Sequence, residues 1–300
     1  MRPATQTLVL AFLLLGVAAA QEFPSNRSVG VNVDQFIGSP ERSMAKISHE
    51  TIIARPILTA GDPNKPGPPA AVLEYHKEIS LGTLAAGNRT PEVKHEDQEY
   101  LYVEKGKGRL ESGDKYWPLL SGVGALVPPN APHAIVNDTE EPLLLLILID
   151  TLQPEVTPRK DILVRDVRQL PIAEKEAHWS YHAKVLFGPK DGINPQSKVL
   201  IVTMDSMSLG APHPHVPHWE EVWCKLPPDT TYATLGSEVR VQKPNECFLV
   251  PPTGKTPHSV LNLSDHPMDW FYFGRYTHEV KYPEWVYQVP SVPAQTIRRK

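Results

Sequence analysis

Gly210-Ala211-Pro212-His213-Pro214-His215-Val216-Pro217-His218-Trp219-Glu220-Glu221 is the stretch on which the fold turns. Three of the chain's twelve histidines fall within six residues here. His213 and His215 stand two apart, so on a strand both project from one face. A carboxylate follows at Glu220. Downstream, Pro251-Pro252-Thr253-Gly254-Lys255-Thr256-Pro257-His258-Ser259-Val260-Leu261-Asn262 offers a further imidazole, His258, from a distant strand. Three imidazoles and one carboxylate form a borderline-hard set of nitrogen and oxygen donors. The set suits one divalent transition metal of the Mn, Fe, Co, Ni, Cu or Zn group, and octahedral geometry leaves two positions open.

Two carboxylates compete for the fourth place. If Glu220 points into a barrel, Val222, Cys224 and Leu226 follow it and Trp223 and Lys225 point out. If Glu221 points in, Lys225 enters the barrel. An unpaired buried lysine is costly, so parity favours Glu220. Glu221 then reads as a solvated outward residue. His218 shares a face with Glu220 on a regular strand; it reads as pocket lining beside the ligands, with a ligand role as the rival. Trp219 and Trp223 read as packing.

Outward from this stretch the chain is built of short β-prone runs and turns. Val199–Met204, Val222–Leu226, Val239–Gln242, Phe248–Val250 and Trp270–Phe273 read as strands around the histidines. The same rhythm precedes them: stretches within Ala71–Leu84, then Tyr100–Val103, Gly124–Val127 and Leu143–Ile149. Turns at Gly106-Lys107-Gly108 and Ser112-Gly113-Asp114 divide them. Many short strands at even spacing predict an antiparallel sandwich or barrel, and the repetition predicts two of them. Composition agrees. The 300 residues hold 32 prolines, which long helices do not tolerate. Thirty basic against 34 acidic residues supply no surplus of positive charge for phosphates, so nucleic acid is not an expected partner. No G-x-S-x-G elbow, H-E-x-x-H helix, P-loop or G-x-G-x-x-G fingerprint occurs.

These motifs resemble those of the cupin family. Its first motif is Gly, five residues, His-x-His, three or four residues, Glu, six residues, Gly; its second is Gly, five residues, Pro-x-Gly, two residues, His, three residues, Asn. The first half matches at Gly87, Val93-Lys94-His95, Glu99 and Gly106, with Val93 where the first histidine is expected. It continues with Gly122, Pro128, Asn130, His133 and Asn137. The second half matches at His213, His215 and Glu220, then at Pro252, Gly254, His258 and Asn262, with one extra residue before the histidine and Pro227 in place of the closing glycine.

The resemblance implies two tandem cupin-type β-barrels of the double-stranded β-helix or jelly-roll kind, with the principal metal site at His213, His215, Glu220 and His258. For His95, Glu99 and His133 two readings stay open: a relic that binds no metal, or a three-ligand second site. The other histidines, His49, His76, His178, His182, His266 and His278, fit no spacing rule and read as surface or packing residues. The resemblance further implies a metal-dependent enzyme of the dioxygenase or decarboxylase class acting on a small oxygen-rich molecule. A binding or storage protein of the same fold is the alternative, and an isomerase, lyase or hydrolase a further one.

Residues 1–20, with Arg2 ahead of an apolar run and Ala18-Ala19-Ala20 behind it, have the layout of a secretory signal peptide. The run is short for a membrane span, so a secreted or periplasmic protein without a span after cleavage is expected. An oxidising compartment permits a disulfide between Cys224 and Cys247; whether they meet the sequence leaves open. The expected organisation is an arm over 21–50, a first barrel over 51–150, a linker over 151–185, a second barrel over 186–276 and a tail over 277–300. The two end segments are candidate arms for a homo-oligomer.

Overall fold

The computed structural model describes residues 31–173 and 180–275 and a short strand at Ile297–Arg298. The expected signal peptide lies outside the described residues, as does nearly all of the tail. The described chain is all-β, with a few 3-10 turns and no α-helix. No helix among the described residues is long and apolar enough to cross a membrane.

The strands form two jelly-roll barrels, each a large sheet closed by a small one. In the first barrel the large sheet runs Leu163–Asp166, Val123–Val127, Gln98–Lys105, Leu143–Asp150, His76–Leu84, Ile52–Ala60, Lys46–Ser48. Ala134–Val136, Lys107–Ser112 and Lys115–Leu120 make the small sheet, which Ile297–Arg298 extends. In the second barrel the large sheet runs Ile37–Gly38, Cys247–Leu249, Glu220–Lys225, Met268–Arg275, Ser197–Met204, Tyr181–Phe187. Its small sheet is Ser208–Leu209, His258–Asn262, Thr231–Leu235 and Glu238–Gln242. Segments read as arm and linker are thus shared out. Ile37–Gly38 joins the second barrel and Lys46–Ser48 the first. Leu163–Asp166 edges the first and Tyr181–Phe187 the second.

The repetition reaches single side chains. Asn137 is fully buried, and its Nδ2 donates to the carbonyls of Leu84, Ala85 and Glu141. Asn262 is equally buried and donates to Met204, Asp205 and His266. Each stitches one turn to the end of a distant strand. Gly106 closes the hairpin after the Gln98–Lys105 strand at φ 93°, where a Cβ would lie 2.5 Å from the Pro142 carbonyl oxygen.

Between the barrels lies a third apolar layer. Tyr100, Tyr102, Leu126, Leu146 and Leu148 of the first large sheet meet Phe187, Val199, Val222, Cys224, Phe271 and Phe273 of the second. Ring pairs Tyr102–Phe271 and Tyr100–Phe187 cross the layer at 5.5 and 5.8 Å. The central strands are therefore dry on both faces, and every residue of Glu220–Lys225 is buried. Parity along that strand follows. Val222 and Cys224 face the other barrel, whereas Trp223 belongs to the second barrel's own interior. This is the reverse of the register expected from the cost of a buried lysine.

Lys225 does enter the second barrel. It is 1% exposed, its Nζ donates to the Leu226 carbonyl, and it lies 5.2 Å from the centroid of the Trp270 ring. These contacts offset part of the desolvation cost. Burial still lowers its pKa to about 8.

Cys224 and Cys247 sit directly opposite each other on neighbouring strands and form a disulfide across a separation of 23 residues. Loop-closure entropy puts its worth at about 3 kcal/mol. Cys224→Ala/Cys247→Ala is therefore expected to lower the unfolding free energy by about that amount in denaturant titration. Lys225→Met is expected to raise Tm at pH 7. Below the folded pKa of about 8 the lysine is charged in both states and the fold bears the full burial cost. As pH rises toward the unfolded value of 10.5, the folded state has already shed its proton and the cost fades. The advantage of methionine, read by thermal melts across pH 6–10, is expected to shrink over that window.

Candidate metal centres

The second barrel gathers its histidines through one bridge and one strand. His213 pairs with His258 as an isolated antiparallel bridge, and His215 follows two residues on. The three rings lie 4.7–4.8 Å apart, centroid to centroid. Their ligand nitrogens all fall within 4.8 Å of one another. The His213 Nδ1–H donates to the Ala211 carbonyl at 2.8 Å, which leaves Nε2 as the nitrogen with a lone pair.

The carboxylate facing these rings is Glu221. Its Oε2 lies 2.5 Å from His215 Nε2 and its Oε1 2.9 Å from His258 Nε2. Trp223 Nε1 donates to Oε1 at 2.5 Å and fixes the carboxylate. Burial pushes the Glu221 carboxyl up, but the charges and polar contacts of His215 and His258 outweigh it and hold it well below the usual carboxylate range. Trp219, expected as packing, lies over the His215 ring at 3.8 Å.

Glu220 corrects the expected ligand set. It faces the other barrel, where one carboxylate oxygen accepts from the backbone N–H groups of Glu74 at 2.6 Å and Tyr75 at 2.9 Å. The other accepts from the His76 N–H at 3.2 Å and makes a short contact with His76 Nδ1. His218 is exposed, lies outside the ring cluster and has φ 65°. Its backbone carbonyl accepts from the Tyr75 hydroxyl.

The first barrel brings His95, Glu99 and His133 together as well. His95 Nδ1 stands 2.7 Å from Glu99 Oε1, and His133 Nε2 stands 3.4 Å from Oε2. His133 repeats the orientation of His213, with Nδ1–H donating to the Ala131 carbonyl at 3.0 Å. A fourth group joins them: His49 Nε2, 3.4 Å from Glu99 Oε2. The sequence reading placed His49 among surface and packing residues. It sits in no motif; the histidine missing at Val93 signals a vacant ligand position but does not say which residue fills it. Burial pushes the Glu99 carboxyl up, and its polar contacts with His133, His49 and His95 outweigh that and hold it well below the usual range.

Both clusters fit a transition-metal ion. His49 Nε2, Glu99 Oε2 and His133 Nε2 in the first, and His215 Nε2 and His258 Nε2 in the second, are buried and have no partner in hydrogen-bond geometry. Buried polar atoms seldom remain unsatisfied, and here they converge. Each set is three imidazoles and one carboxylate held deprotonated, the donors of a borderline divalent metal.

Comparison with known proteins agrees on the architecture. Residues 80–149 match the family model for the cupin domain. The solved structure of AerE from Microcystis aeruginosa has a TM-score of 0.60 at 13% identity, covering 81% of this chain and 100% of that one. The oxalate decarboxylase of Lactobacillus farciminis in a formate complex has a TM-score of 0.58 at 12% identity over 88% of each chain. Vicilin from hazelnut, Corylus avellana, has a TM-score of 0.60 at 9% identity, covering 82% of this chain and 86% of its own. Likeness at these identities shows a shared fold, and a shared fold does not carry a reaction with it. Residues 80–149 match the cupin-domain model, the second barrel repeats their plan, and the chain has a fold of two tandem cupin-type barrels.

Proposed function

We propose that this chain is an exported metal-dependent enzyme of the dioxygenase or decarboxylase class, acting on a small oxygen-rich molecule at the second barrel. The carrying observation is the cluster of His213, His215 and His258, whose ligand nitrogens lie within 4.8 Å of one another, with the Glu221 carboxylate set against His215 and His258. A metal bound there would act as Lewis acid or redox centre toward substrate oxygens. The chain's own groups prepare that place. Ala211 fixes the His213 tautomer, Trp223 holds Glu221 through Nε1–H, and Trp219 walls one side of His215. His213 and His215 are partly exposed, so a solute can reach them. On the inner side a space of about 10 Å³, room for one water, lies between Tyr181, Trp223, Ser259, Val260 and the rings of His213 and His258.

Two observations support the substrate class and the compartment. A small acid or a phenolic or enediol compound chelates through two oxygens, which matches a four-ligand metal with two octahedral positions left. The oxalate decarboxylase of like fold acts on such an acid. The Cys224–Cys247 disulfide suits the oxidising compartment to which a signal peptide over 1–20 would deliver the chain.

The test is metal content per chain on untagged protein, followed by oxygen-uptake and carbon-dioxide-release assays on small dicarboxylates and catechols. Glu221→Gln and the pair His213→Ala/His215→Ala are expected to lose one ion per chain and to cut turnover by at least about 100-fold. Glu220→Gln is expected to keep that ion and to loosen the contact between barrels. Retention of the ion by Glu221→Gln with its loss from Glu220→Gln would overturn the assignment. No metal uptake at all would favour a binding or storage protein.

A further inference from the structure

We infer that the first barrel holds its own transition-metal ion, completed by His49, and that this ion ties the N-terminal segment to the barrel. The inference concerns a different centre from the proposed catalytic one and does not depend on it.

Register identifies the missing ligand. In the second barrel His213 bridges His258. In the first, Val93 bridges His133 in the same antiparallel sense, with both backbone hydrogen bonds formed at 2.8 and 3.0 Å. Val93 thus occupies the position that His213 holds, and its side chain offers no donor. The barrel's own motifs leave this centre one imidazole short.

His49 supplies it from outside those motifs. It lies in the tight turn between Lys46–Ser48 and Ile52–Ala60, where His49 and Glu50 take φ 48° and 59° in succession. Two adjacent non-glycine residues in the left-handed region are unusual, and the turn directs the ring inward. His49 is 3% exposed. Its Nδ1 hydrogen-bonds the Ser48 hydroxyl at 2.8 Å, which leaves Nε2 for the centre. The ligand atoms of His49, His95, Glu99 and His133 all lie within 4.8 Å of one another. A water molecule could bond some of the buried orphan atoms. One divalent cation satisfies His49 Nε2, His133 Nε2 and Glu99 Oε2 together and balances the buried carboxylate.

The segment that carries His49 also touches the other barrel. Eleven residues earlier, Gly38 pairs with Cys247 and Ile37 with Phe248. An ion at the first centre therefore anchors a strap that spans both barrels.

The experiment uses the full-length untagged protein, stripped with a chelator and titrated with zinc alone. Bound zinc after desalting is expected to fall by one ion per chain from the wild type to His49→Ala, from two to one where the second centre is also filled. His49→Ala/Val93→His is expected to regain that ion, because the new imidazole stands where His213 stands. Hydrogen exchange reads the strap directly. At free zinc about 100 times Kd, amides of 46–58 that open by releasing the ion are expected to slow by about 100-fold in the wild type, and not in His49→Ala. Loss of zinc from the first centre is read against His213→Ala/His215→Ala, which is expected to keep it, so failure at one centre is not mistaken for failure at the other. As much zinc bound by His49→Ala as by the wild type, or wild-type exchange over 46–58 unchanged by zinc, would overturn the inference; the wild-type comparison stands even if the variant fails to fold.

Discussion

The dry layer between the two barrels constrains everything else in the molecule. A cupin-type strand in a lone barrel has one face toward its interior and one toward water. Here the outer faces of both large sheets are pressed together, so Glu220–Lys225 has no wet side. Hydrophobic burial then no longer distinguishes inside from outside, because Val222 and Cys224 find apolar surroundings in the layer as readily as they would in the barrel. What fixes the register is polar satisfaction. Glu221 meets imidazoles, Trp223 Nε1 meets Glu221, and Lys225 meets a carbonyl and a tryptophan face. Glu220, on the other face, meets three backbone N–H groups.

That last contact shows how a carboxylate can stand in an otherwise apolar layer. Glu220 caps the chain entry to the His76–Leu84 strand, and His76 continues the polar path toward Asp150, which Asn194 and Arg275 also reach. Burial pushes the His76 imidazole down, but Asp150 and Glu220 outweigh it and hold it above its usual range. A buried cluster of this kind is costly to break and adds little when formed, so its value lies in orientation. It fixes the azimuth of one barrel against the other. Since Glu220 is the neighbour of Glu221, it also fixes the strand that presents the carboxylate facing His215 and His258.

The sequence carried the fold through spacing, because turn residues, strand lengths and the paired histidine motifs are local quantities. The five imidazoles His95, His133, His213, His215 and His258 were legible for the same reason, as was Glu99. Glu221 was not. Choosing between adjacent carboxylates needs the environment of both strand faces, and the second face is made by the other half of the chain. The Trp270 ring and the Leu226 carbonyl receive Lys225 and lower the cost that strand parity alone assigns to it. His49 was invisible for a related reason: nothing local links a turn at residue 49 to a strand at 93. The partnership of Cys224 with Cys247 became decidable once register put the two opposite each other.

The two centres differ in where their ligands come from. In the second barrel His213, His215, His258 and Glu221 all lie between residues 213 and 258, on strands and loops of one barrel, and the other barrel acts on the set only through the register of the Glu220–Lys225 strand. In the first, three groups lie between 95 and 133 and the fourth stands at 49, on a segment whose earlier residues pair with the second barrel. Closing the longer loop from 49 to 95 costs chain entropy that the barrel motifs avoid. The strands on either side of the turn offset that cost: Lys46–Ser48 pairs with Ile52–Ala60, and the latter pairs with His76–Leu84 in the large sheet. The imidazole therefore arrives on a rigid hairpin. Such an imported ligand makes the first centre sensitive to the packing of both barrels, whereas the second centre depends on its own barrel and on the register of one strand.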